Sequence, residues 1–597
     1  CRVSRLLRHE PDRLVVQDTI TNLSSDALGW IIRHRLQASE GPPPMAYVGG
    51  RPAAGAVTER SINRSPTLFL SQSGLGVGLV PSDDVFIIQG QGSSNGRGGI
   101  ELSTHEFALD AGASYALEWA VYVNGTGDYY DLVNAIRRCE GRNGNRLDGG
   151  LASLQGTQQK RDAALVPDGA YFDLRNAAYA LVFCLSWCAD DPEISLEGFE
   201  FVEYPGERRR IREMMERLAE VRPEVKGMFH VAPQLYATGT PEARFADARV
   251  IGPDGAQAVY PHEYASGSYF SRERYEANWR WWIYYPTLDN SYGKALLDSV
   301  EVMMGEMKCR GVFADGFLWG YGGEYTYDHW DGFSADIDPA TGEITRKKAS
   351  VLLRTQECML AWNRKIRERG GVLIANGVVP TRTVCAAPII TDKEVTEGPD
   401  VPLLPTPATM GDPAVCGTEV GLYKDVLNKL RYGNLYFYYN EPKDLNCESL
   451  PARMYPITVE TCHAGCVRGR ERIVTMNSGV YGWPGTRELH QVCRYDSRGR
   501  RIGHDFITTV DADSIRTEVL LGQDESAVIE RLPVQIKTST PVNCLVNAYS
   551  DTGCTVQING KGTLRLTAAN GEKRRYTVNG NTEIRYPLRG RIVTGAP

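Results

Sequence analysis

The chain has 597 residues, of which 42% are apolar and 23% charged, and its formal net charge is −7. At roughly 100 to 200 residues per domain, this length predicts three or four domains. The composition is that of globular proteins, which excludes a disordered or fibrous chain. The 66 Lys and Arg do not exceed the 73 Asp and Glu, so we expect no nucleic-acid partner.

No apolar stretch approaches the ~20 residues of a membrane helix, so we expect no membrane span. Cys1 fits either a lipoprotein cysteine or a truncated start, and a secreted, periplasmic or lipid-anchored protein is favoured over a cytoplasmic one. The 14 Cys are too sparse for a disulfide scaffold. The pair Cys462 and Cys466 has no second half at zinc-ligand spacing, so we expect neither metal nor cofactor. The oligomeric state stays open.

Residues 13–123 form short alternating runs separated by Gly, Pro, Asn and Ser, as in RLVVQDTITNL and GWIIRHRLQA. Period-2 alternation with such turn signals predicts an N-terminal antiparallel β-sandwich over residues 1–125. The segment GDYYDLVNAIRRCEGRN then follows a helical period. It predicts a linker helix region over residues 126–160.

Residues 161–465 alternate apolar strands with amphipathic helices, which predicts βα units and a parallel sheet. Eight such strands with outer helices predict a central TIM (β/α)8 barrel. The predicted strands are, in order, EGFEFV, GMFHVA, WWIYYP, GVFADG, GVLIANG, PIITDK, NLYFYY and YPITVE. Residues 466–597 return to alternation with hairpin turns such as Asn579-Gly580, which predicts one or two C-terminal β-sandwich modules. The predicted fold class is therefore multidomain, α/β plus all-β.

In a TIM barrel the active site lies at the carboxyl ends of the strands. Asp315 ends the predicted fourth strand, on the same face as Phe313, and Gly316 allows the backbone to turn after it. This placement favours Asp315 as a catalytic carboxylate. The structural alternative is a carboxylate that caps the following turn.

The predicted sixth strand runs into Asp392, Glu394 and Glu397. A retaining glycosidase needs a nucleophilic carboxylate and an acid/base carboxylate about 5 to 5.5 Å apart, whereas an inverting enzyme holds them about 6.5 to 9.5 Å apart. We expect Asp315 to be the nucleophile and Glu397 or Glu394 to be the acid/base, and the sequence does not separate these two. A solvated acidic loop is the alternative for each.

Aromatic and hydrogen-bonding side chains also gather at the predicted strand ends and in the loop after the fourth strand. Sugars present flat C–H faces with a rim of hydroxyls, so their pockets combine aromatic rings with amides and carboxylates. The expected substrate-binding residues are His230, Tyr236, Tyr285, Trp319, His329, Trp330, Asp331, Asn376 and Asp392.

With these residues in place, the chain resembles a glycoside hydrolase. The order of sandwich, barrel and β-domain resembles the clan of the α-galactosidases and α-glucosidases, and also the endo-α-N-acetylgalactosaminidase type. The resemblance implies a nucleophilic Asp at the end of the fourth strand, matched by Asp315 in GVFADGF. It implies an acid/base near the end of the sixth, where Asp392, Glu394 or Glu397 matches. The Trp-x-Asp-Met-Asn signature of well-known members is absent.

The predicted function is therefore hydrolysis of a glycosidic bond in an oligosaccharide, polysaccharide or glycoconjugate, with a carbohydrate as the partner. Two alternatives stay open. A non-catalytic carbohydrate-binding protein of the same architecture would keep sugar affinity without turnover. A polysaccharide lyase would use Tyr and His and release an unsaturated product. The sugar, its anomeric configuration and exo or endo action are not determined by the sequence.

Overall fold

The computed structural model covers the chain from Cys1 to Pro597, and no helix in the described part is long and apolar enough to cross a bilayer. The structure describes all residues except 39–40, 54, 56, 155–162, 183–186, 261–268, 319, 394–402, 412–416, 439–447, 487–489, 508, 512–513, 533, 539–542, 551–552, 569–571 and 588–597.

Two antiparallel sheets build the N-terminal part and share one hydrophobic core, in which Leu117 and Trp119 of the first sheet meet Leu102 and Phe107 of the second. The first sheet contains, in spatial order, Arg2–Glu10, Arg13–Thr21, Ser114–Asn124, Leu75–Pro81, Leu68–Gln72, Met45–Val48 and Arg51–Pro52. The second contains Tyr325–Thr326, Ile344–Ser350, Ser334–Ile337, Gly99–Leu109, Gln91–Asn95 and Val57–Ser61, with Leu28–Gln37 also paired to Gly99–Leu109.

The second sheet takes three of its strands from a distant part of the chain. Ser334–Ile337 and Ile344–Ser350 form a hairpin, and Phe107 lies opposite Ser334 across the sheet. The amide of Ala108 donates to the carbonyl of Phe333 at 2.9 Å. The loop that follows the predicted fourth barrel strand is thus tied to the N-terminal sheet.

A parallel sheet of six strands forms the centre of the molecule, with a separate parallel pair beside it. The amide of Met410 donates to the carbonyl of Lys393 at 3.1 Å, and the amide of Tyr438 donates to the carbonyl of Leu151 at 2.9 Å. These bonds link the pair to both edges of the sheet. The sheet strands are Gly150–Ser153, Ala177–Val182, Lys226–Val231, Gly311–Ala314, Val372–Asn376 and Ile390–Asp392, and the pair is Ala408–Met410 with Leu435–Phe437.

The prediction of a first barrel strand at residues 197–202 is wrong, because this segment turns into a 3₁₀ helix, Glu200–Glu203. The Glu200 carboxylate accepts the amide of Ala237 at 2.6 Å. A Cβ at Gly198 would lie 1.8 Å from the carbonyl oxygen of Leu235. The chain is therefore curled closely against the segment after the third parallel strand.

Two further predicted barrel strands belong elsewhere. Arg280–Ile283 pairs antiparallel with Leu235–Thr238 and does not join the parallel sheet. Ile457–His463 joins the C-terminal antiparallel sheet, where it pairs with Cys466–Gly469. Sequence reasoning missed the parallel strands Gly150–Ser153, Ala177–Val182 and Ala408–Met410.

Helices begin at side-chain caps where the sequence supplies them. Asn290 accepts the amide of Gly293 at the start of Ser291–Val300, and Ser350 accepts the amide of Leu353 at the start of Val351–Glu368. The remaining α-helices are Asp84–Gln89, Tyr129–Cys139, Gly169–Arg175, Pro205–Val221, Arg272–Glu276, Arg382–Cys385, Glu419–Arg431 and Leu450–Arg453, and Glu301–Glu306 is a π-helix. The other 3₁₀ helices are Ala163–Leu165, Pro241–Ala243, Ala246–Ala248 and Gly320–Gly322.

The C-terminal part is antiparallel throughout, within the described residues. One seven-stranded sheet contains Arg146–Leu147, Ile457–His463, Cys466–Gly469, Arg472–Thr475, Ser526–Arg531, His490–Tyr495 and Arg501–Ile507. Smaller sheets are formed by Gly479–Tyr481, Ser514–Val519 and Thr509–Asp511, and by Val534–Thr538, Gly553–Ala568, Asn543–Ser550 and Lys573–Pro587. The architecture is thus α/β at its centre with β-sheet regions on either side.

Candidate active site

Three polar residues stand in one row at the carboxyl ends of three adjacent parallel strands. Ala314 is in register with Ala375, which places Asp315 beside Asn376, and Asn376 is in register with Asp392. The Asn376 amide Nδ2 donates to Asp315 Oδ1 at 2.8 Å. We call Asp315, Asn376 and Asp392 the strand-end row.

The backbone around Asp315 is fixed from both neighbouring strands. Its amide donates to the carbonyl of Val231 at 2.9 Å, and the amide of Phe317 donates to the carbonyl of Asn376 at 2.8 Å. Gly316 has φ +56°, and a Cβ there would lie 2.3 Å from the ring of Tyr321. The requirement for glycine next to Asp315 is therefore both conformational and steric.

Asp315 remains open to solvent while its neighbours are closed off. Its side chain is 18% exposed, that of His230 is 3% exposed, and Asp392 is 3% exposed as a residue. His230 Nε2 lies 3.8 Å from Asp315 Oδ2, and the His230 ring stacks on Phe313 with centroids 5.7 Å apart. His230 thus lies against Asp315, because the strand predicted between theirs, Arg280–Ile283, does not join the parallel sheet.

Sequence reasoning missed Glu197, which also faces this group. Glu197 is 4% exposed, and its carboxylate, the His230 ring and the Asp315 carboxylate each bring one oxygen or nitrogen within 4.8 Å of the others. The Glu197 carbonyl accepts the amide of Ala232 at 2.8 Å, which ties it to the end of the third strand. Glu197 stands at the start of a predicted strand, whereas active-site residues are expected at strand ends. In the structure Glu197 lies in the connection after Ala177–Val182.

The cluster of Glu197, His230 and Asp315 also has the donor types that bind a divalent cation. A second such group in the described residues comprises Asp128, Asp131 and His463. There Asp128 caps the helix Tyr129–Cys139 and Asp131 accepts the hydroxyl of Thr126. The second group therefore has a structural explanation, whereas the first lies beside the strand-end row.

Tyr285 and His329, both expected to contact substrate, pack against each other and form an aromatic wall. Their ring centroids are 5.4 Å apart, and His329 Nδ1 lies 2.8 Å from Asp328 Oδ1. Tyr285 is 5% exposed, and burial raises the pKa of its hydroxyl to about 12. Tyr285 is thus a neutral hydroxyl at physiological pH.

Asp331 and Trp330 are engaged by their own hairpin. The Asp331 carboxylate accepts the amides of Phe333, Ser334 and Ser350 and the hydroxyl of Ser334, all at 2.7 to 2.8 Å. Trp330 donates to the carbonyl of Ser334 at 2.9 Å. These bonds give Asp331 a turn-forming role in the hairpin that extends the N-terminal sheet.

Tyr236 lies in the antiparallel pair outside the parallel sheet. It is 2% exposed, packs edge-on against Phe199 and Tyr292, and donates its hydroxyl to Glu203. The structure therefore does not bring Tyr236 to the strand-end row. Trp319, Glu394 and Glu397 lie outside the described residues.

No protein-family model and no curated protein matches the chain. The chain is similar in structure to an α-N-acetylgalactosaminidase from Bifidobacterium bifidum, at 10% identity, 73% of this chain, 81% of the other and a TM-score of 0.42. It is also similar to an α-galactosidase from Lactobacillus brevis, at 10% identity over 87% of this chain and 78% of the other, with a TM-score of 0.43. A third similar structure is a GH31 family sulfoquinovosidase from E. rectale, at 10% identity over 88% of each chain, with a TM-score of 0.44.

Proposed function

We propose that this protein is a glycoside hydrolase in which Asp315 is the nucleophile. The strand-end row carries this proposal: Asp315 is accessible, and Asn376 from the next strand donates to one of its oxygens. A carboxylate held in one orientation by a neutral amide suits attack on an anomeric carbon.

We assign the acid/base to Asp392, the strand-end carboxylate two strands from Asp315. Adjacent strands lie about 4.8 Å apart, so the two backbones are separated by about 10 Å and inward-leaning carboxylates come within the range of a catalytic pair. Glu394 and Glu397 follow in the same segment and stay as alternative acids. The sequence listed Asp392 as a substrate ligand, so this assignment changes its role.

We further propose that the eight parallel strands close into a (β/α)8 barrel between an N-terminal and a C-terminal β-sandwich. Support comes from the two hydrogen bonds that join the strand pair to the edges of the six-stranded sheet. Closure puts all strand ends at one mouth. A carbohydrate bound there would contact the strand-end row.

The proposed reaction is a double displacement with retention. Asp315 Oδ2 attacks the anomeric carbon while the bond to the leaving oxygen breaks, and the acid gives its proton to that oxygen. The same group, now a carboxylate, takes a proton from water, whose oxygen attacks the anomeric carbon and releases Asp315. Glu197 and His230 lie against Asp315 and are positioned to orient its carboxylate.

The test is turnover of a panel of aryl glycosides by the full chain, followed by ¹H NMR of the first-formed anomer. A 2-deoxy-2-fluoro glycoside of the sugar that is cleaved should add covalently to the tryptic peptide carrying Asp315. Labelling of a different peptide would overturn the nucleophile assignment. Initial inversion would overturn the double displacement. Sugar affinity without turnover would favour the binding-protein alternative.

The donor set of Glu197, His230 and Asp315 favours one second candidate, a metal-assisted hydrolase. The two candidates differ in their response to chelation. Dialysis against EDTA should leave a double-displacement glycosidase fully active. Loss of activity that Zn²⁺ or Mn²⁺ restores would replace the carboxylate mechanism with the metal one.

A further inference from the structure

A cavity of about 260 Å³ is lined by segments on both sides of the sixth parallel strand's start, and no residue of the strand-end row lines it. Pro388 and Ile389 lead into the sixth parallel strand, and Pro405 leads towards the seventh. The opposite wall is the loop of residues 141–145 that follows the helix Tyr129–Cys139. An apolar cavity of about 150 Å³ already accommodates benzene, so this one has room for a small organic molecule.

Arg142 lines this cavity and is 8% exposed. Its Nη2 pairs with the Glu140 carboxylate and lies 3.5 Å from the carbonyl of Pro380. Its Nε and Nη1 are buried without a hydrogen-bond partner in the described part of the chain. A buried guanidinium N–H without an acceptor destabilises the folded state, so a ligand that accepts from these two nitrogens would be favoured.

A second arginine adds positive charge beside Arg142. Arg137 is 1% exposed, and it donates to the carbonyls of Leu403 and Pro405 and to the side chain of Asn143. No carboxylate within the described ranges pairs with it. Glu140 thus pairs with Arg142, whereas the guanidinium of Arg137 is met by carbonyl and amide oxygens.

The groups that face Arg142 across the cavity are neutral. Burial raises the pKa of the Cys385 thiol to about 11, so this side chain stays protonated at neutral pH. Asn145 donates its amide to the carbonyl of Ile389 at 3.0 Å. The nearby Asp84 carboxylate accepts the amide of Thr383 and the side chain of Gln356. An entering anion therefore meets Arg142 without an opposing free carboxylate on the wall.

The rest of the lining is apolar, and it includes Val378, Val384, Ile389 and Pro405. A ligand that satisfies both halves of the cavity has a planar anionic head and a compact hydrocarbon body. A carboxylate matches the guanidinium plane, and a small rotation of the Arg142 head would bring its unpaired donors onto the carboxylate oxygens.

We propose that this cavity is a binding site for a small aromatic or branched aliphatic carboxylate, held by Arg142 and packed against the apolar wall. The site is separate from the strand-end row and does not depend on the proposed glycosidase activity.

Benzoate is the probe, and benzamide is its neutral match in shape. Binding of each to the full chain is measured by calorimetry. We expect benzoate to bind and benzamide not to bind. Equal binding of benzamide, or no binding of benzoate, would overturn the proposal.

Arg142→Met should weaken benzoate binding at least about tenfold, the loss expected when charge-assisted hydrogen bonds are removed. Arg138→Met is the matched control, because Arg138 lies on the preceding helix with a side chain 59% exposed. Val384→Phe should block the cavity without removing the charge, and it keeps the test valid if Arg142→Met does not fold. Unchanged binding in either cavity variant contradicts the proposal, and binding of inorganic phosphate in place of benzoate contradicts the carboxylate assignment.

Discussion

Asp315, at the end of the strand Gly311–Ala314, and Asp331, in the loop after it, differ in their hydrogen-bond partners. Asp331 accepts four hydrogen bonds from its own hairpin. Asp315 is held by Asn376 from another strand and keeps a side chain that is 18% exposed. Asp331 thus stabilises its own hairpin, whereas Asp315 is oriented by a neighbouring strand and is partly exposed, as a carboxylate at a reaction site must be.

Replacing each aspartate by asparagine tests whether Asp315 acts in turnover and Asp331 in stability. Asp315→Asn should lower kcat/KM by a factor on the order of 10⁴ or more, since it removes the attacking group, with an unchanged thermal unfolding profile. Asp331→Asn should keep kcat/KM within a few-fold and destabilise the protein by about 2 kcal/mol, because charge-assisted hydrogen bonds are lost. Kinetics on the best aryl glycoside and urea unfolding measure both. A large kinetic loss in Asp331→Asn would restore it as a substrate ligand.

Replacing the proposed acid/base should have the next largest effect on turnover. Asp392→Asn should slow cleavage of glycosides with poor leaving groups by about 10² to 10⁴-fold, because general acid catalysis contributes that much. It should affect activated dinitrophenyl glycosides far less, and azide should restore turnover as a glycosyl azide. Glu394→Gln and Glu397→Gln are the matched comparisons. If one of them shows this pattern and Asp392→Asn does not, that glutamate is the acid.

Asn376→Ala tests whether the contact between strands positions Asp315. Loss of the amide should lower kcat by about 10 to 100-fold through misplacement of the carboxylate, with a smaller change in KM. Asn134→Ala is the control. Asn134 lies in the helix Tyr129–Cys139, and its buried side-chain amide bonds to the backbone of Cys462. A fall in stability with normal kcat in Asn376→Ala would reduce Asn376 to a structural role.

Glu200, three residues after Glu197 and closed off by its own loop, affects stability and not turnover. Burial raises the pKa of Glu200 to about 8 from its ordinary 4.5. Between those values the folded state holds a proton that the unfolded state has lost, so stability falls as pH rises from about 4.5 to 8, by at most about 1.4 kcal/mol per pH unit. The dependence ends above pH 8.

Glu200→Gln should remove this slope, because glutamine is neutral at every pH. Glu213→Gln, on the exposed face of the helix Pro205–Val221, is the control. Urea unfolding midpoints from pH 5 to 9 provide the measurement. A slope that is the same in wild type and Glu200→Gln contradicts a buried, protonated Glu200.

Local pattern was enough to predict several elements of the site. The apolar runs before Asp315, Asn376 and Asp392 are strands, and each of these residues stands at or next to the end of its strand. A run of apolar residues that ends in a polar one contains this information within a few positions. The sequence therefore determined the α/β class, the strand ends and the prominence of Asp315.

Tertiary structure decided which strands are partners and which carboxylates meet. The run at Arg280–Ile283 is as strand-like as Gly311–Ala314, yet only long-range pairing directs it to Leu235–Thr238 instead of the parallel sheet. The position of Glu197 beside Asp315 depends on the connection after Ala177–Val182, a strand that pattern reasoning missed. Hydrogen bonds between distant segments and the filling of a shared core have no counterpart in local periodicity, and for this reason the sequence alone left both undetermined.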